Sequence, residues 1–295
     1  MHLGIDTSCY TTSVAAVSDS KIVFDERIML EVPEGKRGLR QSEAVFLHTK
    51  NLAAIFERLA LSGVESVSVS SAPRNVKGSY MPVFMSGVSA AKVAAAALQC
   101  KYSEFSHQQG HIMAGLHSAH ALDWRDAPFL AVHISGGTTE LLLIDGDSIE
   151  IVGRTLDISA GQLIDRVGVG MGLKFPSGIY MQELAARKTA EVRLPVCVKG
   201  TDINFSGAEI QAMNMTESRE NIAAAVFDCI GESLCRMINN TRDKFGAVNV
   251  LMVGGVAANT QIREKLQAEL PDLKFAASSL SSDNAVGIAL LGSDM

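Results

Sequence analysis

Positive charge is scarce in this 295-residue chain: 26 Lys and Arg stand against 32 Asp and Glu, a net charge of −6. Nonspecific nucleic-acid binding by the whole surface is thereby excluded, because that affinity comes from clustered Lys and Arg. A nucleic-acid partner would need a local basic patch or a second protein to help hold it. Cysteine is sparse too. The five, at 9, 100, 197, 229 and 235, are an odd and scattered set without a C-x-x-C pair, so neither a disulfide framework nor a zinc knuckle is indicated. No apolar run reaches the ~18 residues of a membrane helix, and no basic then apolar leader precedes the first strand, so no membrane association and a cytoplasmic location are expected. With 47% hydrophobic, 20% charged and 5% aromatic residues, the composition is that of an ordinary globular protein whose length allows about two domains.

What the chain does have is organised around residues 129–145. An apolar run, a small-residue turn at Ser135, Gly136 and Gly137, and a second apolar run make a hairpin whose tip is bare backbone. Glycines without Cβ let amide N–H groups converge on an anion such as phosphate, although an isolated Ser-Gly-Gly is more often an ordinary turn. Residues 3–23 repeat the same plan, with Thr11-Thr12 falling where Thr138-Thr139 fall in the later copy. Such an echo suggests a duplication with two similar lobes. A late strand, Leu251-Met-Val, runs into Gly254-Gly255 and then a helix, a placement that favours a nucleotide contact. The expected fold class is therefore α/β, resembling the two-lobed actin, sugar-kinase and Hsp70 architecture, with duplicated lobes around a nucleotide cleft. The expected lobes are residues 1–124, with a C-terminal helix 283–295 packing back on them, and residues 125–282.

Periodicity predicts a helix over 41–61, in which His48 reads as a half-exposed structural histidine. A Val-rich strand over 65–71 leads into a turn-rich loop carrying Arg74 and Lys77, read as solvated or as an anion or RNA contact. Residues 84–100 are small and apolar almost all round, as in a closely packed interior or interface helix. Residues 121–128 read as the connection between lobes, 157–172 as a loop and helix holding Asp165, 219–245 as a long amphipathic helix, and Asp283 as the start and cap of the last helix.

Four of the seven histidines fall between 107 and 120, and His107 and His111 stand at i and i+4, on one helix face within reach of one metal. A metalloprotease helix is disfavoured, since the residue after the first His is Gln108 rather than the Glu that serves as general base.

Together, Gly4-Ile-Asp-Thr-Ser-Cys9, His107-x-x-x-His111, Ile134-Ser-Gly-Gly137, Gly153-Arg-Thr-Leu-Asp157, Ala160-Gly161 with Asp165, Phe175-Pro-Ser-Gly178, Asn204-Phe-Ser-Gly207, Gly254-Gly-Val-Ala-Ala-Asn259 and Ser282-Asp-Asn284 resemble the TsaD and Kae-one family of tRNA threonylcarbamoyladenosine transferases. The resemblance implies metal-dependent transfer of a threonylcarbamoyl group from threonylcarbamoyl-adenylate to N6 of an adenosine beside the tRNA anticodon. It implies one iron or zinc ion held by His107, His111 and Asp283. It also implies a substrate site of His133, Ile134, Ser135, Gly136, Gly137, Asp165, Gly178, Gln182 and Asn259, with adenylate or ATP as the substrate-derived ligand. Implied partners are tRNA, an actin-like paralogue and a small ATPase.

The chain also departs from the family's pattern. Tyr10-Thr11 replace an acidic pair, Thr138 follows Ser-Gly-Gly where His or Asn is usual, Ala72-Pro73-Arg74 replace a Gly-Pro-Gly loop, and Gln182 stands where an acid or Ser is common. A second reading is therefore a catalytically degenerate nucleotide-binding partner of the transferase complex. A third is a sugar or acetate kinase using Asp6 as its base. His133 closes a buried strand; with the nearby acids lost, it is expected to add a third imidazole to the metal site.

Overall fold

The computed structural model describes residues 1–8, 10–31, 39–76, 78–246 and 248–294. The chain divides into two compact units, Met1–His120 with Ser282–Met295, and Ala121–Ser281. Lys77, Cys9 and most of the 31–38 loop lie outside the described residues.

The first unit begins with an antiparallel meander, β1 (His2–Asp6), β2 (Thr11–Ser18) and β3 (Lys21–Met29). Helix α1 (Gln41–Phe56) leads to β4 (Ser66–Ala72), and α2 (Phe84–Leu98) to β5 (Lys101–Ser106), which runs directly into α3 (His107–Ser118). The sheet order is β3-β2-β1-β4-β5, with β4 parallel to both β1 and β5. Strand alternation sorts the faces. Leu3 and Ile5 point into a core with Val67, Val69, Leu52, Ile55, Val88 and Ala91. Ala44, His48, Leu52 and Ile55 form the buried stripe of α1. His48 is thus fully buried, not half-exposed, because its position falls on that stripe, and its Nδ1 pairs with the Thr12 hydroxyl at 2.9 Å. Helix α2 is buried on one side only: Val93 is 70% exposed, so it is not enclosed all round.

The second unit repeats the plan. A short 3-10 turn, Leu122–Asp126, precedes the meander β6 (Phe129–Ile134), β7 (Thr139–Asp145) and β8 (Ser148–Arg154). Helices α4 (Ala160–Gly170) and α5 (Gly178–Ala185), a small ribbon of β9 (Cys197–Lys199) and β10 (Asp202–Asn204), and α6 (Ser206–Asn214) follow. Helix α7 (Arg219–Phe245) leads to β11 (Val250–Val253), a 3-10 turn at Gly255–Ala258, α8 (Thr260–Glu269), β12 (Lys274–Phe275) and α9 (Ser278–Ser281). Its sheet, read as β8-β7-β6-β11-β12, has the order of the first, with β11 again parallel to its two neighbours. The core is built on α7, whose Val226, Phe227, Ile230, Leu234 and Ile238 join Leu130, Val132, Ile134 and Met252 of the sheet.

The last helix, α10 (Val286–Ser293), belongs to the first unit. It lies on the small-residue face of that sheet. A Cβ at Gly4 would overlap the Ala285 carbonyl, one at Gly292 the Ser68 hydroxyl, and one at Gly287 the Gly110 carbonyl of α3. The Ala285 amide donates to Ser13 Oγ at 2.9 Å, and Ser66 Oγ to the Gly292 carbonyl at 3.2 Å. Among the described residues no helix is long and apolar enough to cross a membrane.

Candidate functional site

The first site is assembled wholly within the first unit. Ser106 caps α3, accepting from the Gln109 amide while Gln109 Oε1 accepts from the Ser106 amide, a reciprocal box that fixes where the first turn begins. That turn carries His107, and His111 follows one turn later on the same face. The close approach of Gly287 to Gly110, the residue just before His111, brings the start of α10 to the histidines. Helix α10 starts at Val286 rather than Asp283. Asn284 Oδ1 accepts from the Val286 amide at 3.1 Å in a turn ahead of the N-cap, Ala285, and Asp283 faces the histidines instead of capping the helix. Arg27 steadies the turn by donating to Ser282 Oγ at 3.1 Å.

Asp283 Oδ1 lies 3.5 Å from His107 Nε2 and 3.4 Å from His111 Nε2. Among the described residues, these three form the group of His, Cys, Asp and Glu side chains whose ligand atoms lie within 4.8 Å of one another. Tetrahedral ligands about 2.1 Å from a zinc-like ion are about 3.4 Å apart, which the two separations to Asp283 match, while the two histidine nitrogens lie within 4.8 Å of each other. Two imidazoles and one carboxylate also suit zinc or ferrous iron by donor type.

The electrostatics of the group are set by burial and by charge. Burial opposes ionisation of Asp283, yet the two histidines outweigh it and hold the carboxyl well below the usual range. Burial also disfavours a charged His107, but Asp6 and Asp283 reverse the sign and push it up. His111 is shifted down, by burial first and by the adjacent His107 second. Asp6 is buried: its Oδ2 accepts from His107 Nδ1 at 2.7 Å, and its Oδ1 from the Ser8 amide at 2.7 Å. With both oxygens engaged, Asp6 is not placed as the solvent-facing base that a small-molecule kinase requires.

The second site lies wholly in the second unit. Gly136, Gly161, Asp165, Pro176, Gly178, Gln182, Gly255 and Asn259 line a pocket of 320 Å³, floored by Ile164, Phe227 and Val256. It collects residues of the β6–β7 turn, α4, α5 and the turn after β11. Packing at its wall demands small residues, since a Cβ at Gly161 would overlap Gly136 Cα. One at Gly254, whose φ is 98°, would overlap the Ile134 carbonyl. Asp165 Oδ1 accepts from the Ser177 amide at 2.7 Å and so holds the turn before α5. Gln182 Oε1 accepts from both Asn259 Nδ2, at 2.9 Å, and the Thr260 amide, at 3.0 Å, while Asn259 Oδ1 caps α8 through the Ile262 amide.

Of the residues expected to hold substrate, Gly136, Asp165, Gly178, Gln182 and Asn259 come together here, joined by Gly255. His133, Ile134, Ser135 and Gly137 do not line this pocket. Ile134 is fully buried beneath the turn, and His133 pairs with Glu140 and Val253 in the sheet, its ring beside Gly254. The Ser135 amide does not join an anion nest: it donates to the Thr138 carbonyl at 2.8 Å and closes the hairpin. Among the described residues the Gly136 and Gly137 amides meet no acceptor, so the bare-backbone tip is two amides wide rather than three. Sequence reasoning did not anticipate Asp6 as the partner of His107 or Gly161 as a wall of the pocket. The alternation of β1, which places Asp6 on the face of Gly4, was the available signal for the first.

The family model for tRNA N6-adenosine threonylcarbamoyltransferase, TsaD, matches residues 47–290. A relative from Syntrophomonas wolfei subsp. wolfei named tRNA N6-adenosine threonylcarbamoyltransferase is 30% identical, covering 97% of this chain and 90% of that protein. The activator of 2-hydroxyisocaproyl-CoA dehydratase from Clostridium difficile, solved with ADPNP, superposes with a TM-score of 0.56 at 16% identity, over 100% of this chain and 95% of that one. A glucokinase of the ROK family from Streptomyces griseus gives a TM-score of 0.56 at 9% identity, over 100% of this chain and 99% of that one. These two share the fold, which is the actin-like, sugar-kinase type. The extent of the sequence matches, from α1 to α10 and across both units, makes the chain a member of the tRNA N6-adenosine threonylcarbamoyltransferase family, TsaD.

Proposed function

We propose that this protein transfers the threonylcarbamoyl group of threonylcarbamoyl-adenylate to N6 of an adenosine in tRNA. Membership of the family is the observation that carries the reading, and the His107, His111 and Asp283 cluster supports it. In the balanced step, the N6 nitrogen attacks the carbamoyl carbon, the bond from that carbon to the phosphate oxygen breaks with its electrons leaving on AMP, and the proton lost from N6 passes to solvent water. The 320 Å³ pocket would take the nucleoside of the adenylate, with Gly255 giving room and the Asn259–Gln182 pair a rigid polar wall. The Gly136 and Gly137 amides would donate to its phosphate, a preorganised arrangement that needs no side chain. One divalent ion, zinc or iron, held by His107, His111 and Asp283 would supply Lewis acidity toward a carbonyl or phosphoryl oxygen. No serine or cysteine nucleophile is required.

The test is reconstitution: the full chain with the adenylate-forming enzyme, threonine, bicarbonate, ATP, unmodified tRNA and candidate partner proteins, with nucleosides analysed by mass spectrometry. Threonylcarbamoyladenosine that depends on this chain is the expected result. Its absence in every combination, from protein with full metal content, would favour the non-catalytic partner instead.

A further inference from the structure

Asp6 carries an unusual burden for a carboxylate. It is 1% exposed, and its ionic partner among the described residues is His107. Strand alternation turns it to the face of β1 that α10 covers, where Gly4 has already let the helix close in. Among the described residues each of its oxygens has one donor: the Ser8 amide on Oδ1 and His107 Nδ1 on Oδ2, both at 2.7 Å. The opposite ring nitrogen, His107 Nε2, faces Asp283.

We infer that Asp6 is the positioning residue that fixes the tautomer of His107, holding the proton on Nδ1 so that Nε2 keeps its lone pair for the metal. The inference rests on the metal reading given above. A neutral imidazole has one N–H, and a carboxylate only accepts, so the proton stays on the nitrogen that meets Asp6. The Ser8 amide makes the position sensitive to an isosteric change. In Asp6→Asn, that amide keeps the side-chain oxygen, and the NH₂ group is left facing Nδ1. Nδ1 must then accept, the ring proton moves to Nε2, and the lone pair aimed at Asp283 is lost. In Asp6→Ala no group dictates the choice, and the ring can adopt either tautomer.

The order of the two variants is therefore the test. Full-length wild type, Asp6→Asn and Asp6→Ala are stripped with chelator and titrated with cobalt(II), following the visible absorption band of the bound ion. Thermal melts of the stripped proteins serve as the folding control. Asp6→Asn is expected to bind cobalt at least about tenfold more weakly than wild type, and more weakly than Asp6→Ala. A purely structural role predicts the reverse order, because alanine removes more atoms. Asp6→Ala below Asp6→Asn, or Asp6→Asn within about twofold of wild type, would overturn the inference. Wild type that takes up no cobalt would instead overturn the metal reading itself. Should Asp6→Asn not fold, ¹⁵N-histidine NMR of zinc-loaded wild type decides: a proton on His107 Nδ1 with zinc on Nε2 supports the inference, and the opposite tautomer defeats it.

Discussion

The two units share one sheet order and differ in what their loops carry. In the first, the strand before the meander's initial turn ends in a buried carboxylate, Asp6, and the helix after β5 opens with two histidines. In the second, the equivalent strand ends in Ile134 and the turn is Ser135, Gly136 and Gly137, of which Gly136 lines a pocket walled by glycines and side-chain amides. One copy therefore concentrates charge and imidazole nitrogen, whereas the other removes side chains and leaves backbone to line a pocket. The duplicated scaffold supplies positions, and the chemistry at each is set by a few residues at strand ends.

Each site should therefore fail alone. His107→Ala has the largest expected effect: metal content and transferase activity fall by more than about tenfold, as loss of ligand-shell groups typically costs. Binding of a nonhydrolysable adenylate analogue to the second unit's pocket should survive, as calorimetry would show. Metal loss accompanied by loss of analogue binding would break the comparison.

Gly287→Val attacks the same site through packing. Two methyl groups driven toward the Gly110 carbonyl should cost about 3 kcal/mol and raise hydrogen exchange in α3 and α10, while amides of α7 keep their protection. Uniform loss of protection would show that the units do not behave separately.

Gly255→Val probes the other copy. No protein atom lies within 4 Å of a Cβ built there, so the fold should tolerate it, yet the side chain would occupy the pocket. Analogue affinity should drop by at least about tenfold, or 1.4 kcal/mol, with metal content unchanged. Unchanged affinity would remove the turn after β11 from the ligand site.

Acidity provides the mildest test. In chelated protein the His107 pKa is raised to about 10, burial opposing and Asp6 and Asp283 prevailing. A raised pKa stabilises the fold in full below the ordinary histidine value of about 6.5, and that contribution is lost as pH rises through about 10. Metal binding runs the opposite way, since the Nε2 proton must leave: affinity should climb by about tenfold per pH unit over the same window. Parallel trends in melting temperature and metal affinity would contradict this account of His107.

Local pattern made much of this readable. The repeated hairpin, the period of α7 and the strand into Gly254 all follow from hydrophobic spacing and glycine placement, and the architecture they suggested is the one found. Elements with weak periodicity were harder. Helix α5, the β9–β10 ribbon and α6 are too short to show a period, and the start of α6 is held by Asp157, which accepts from the Phe205 and Ser206 amides. Long-range relations were the least legible. The burial of His48 depends on which stripe of α1 meets the sheet, and the pairing of Asp6 with His107 on a contact across 101 positions. The Ser135 amide shows the same limit, since a turn's own hydrogen bond competes for it with any anion.

The return of α10 to the first sheet has a consequence for biosynthesis. On a ribosome, His107 and His111 emerge before the second unit, and Asp283 only after all of it. The first unit must therefore wait, with its glycine and serine face uncovered, while the contiguous second unit has its whole sequence and can fold ahead of it. A nascent chain arrested before Asp283 should resist proteolysis in the second unit while remaining cleavable in the first. The two histidines would also spend that interval without the carboxylate that faces them in the folded chain.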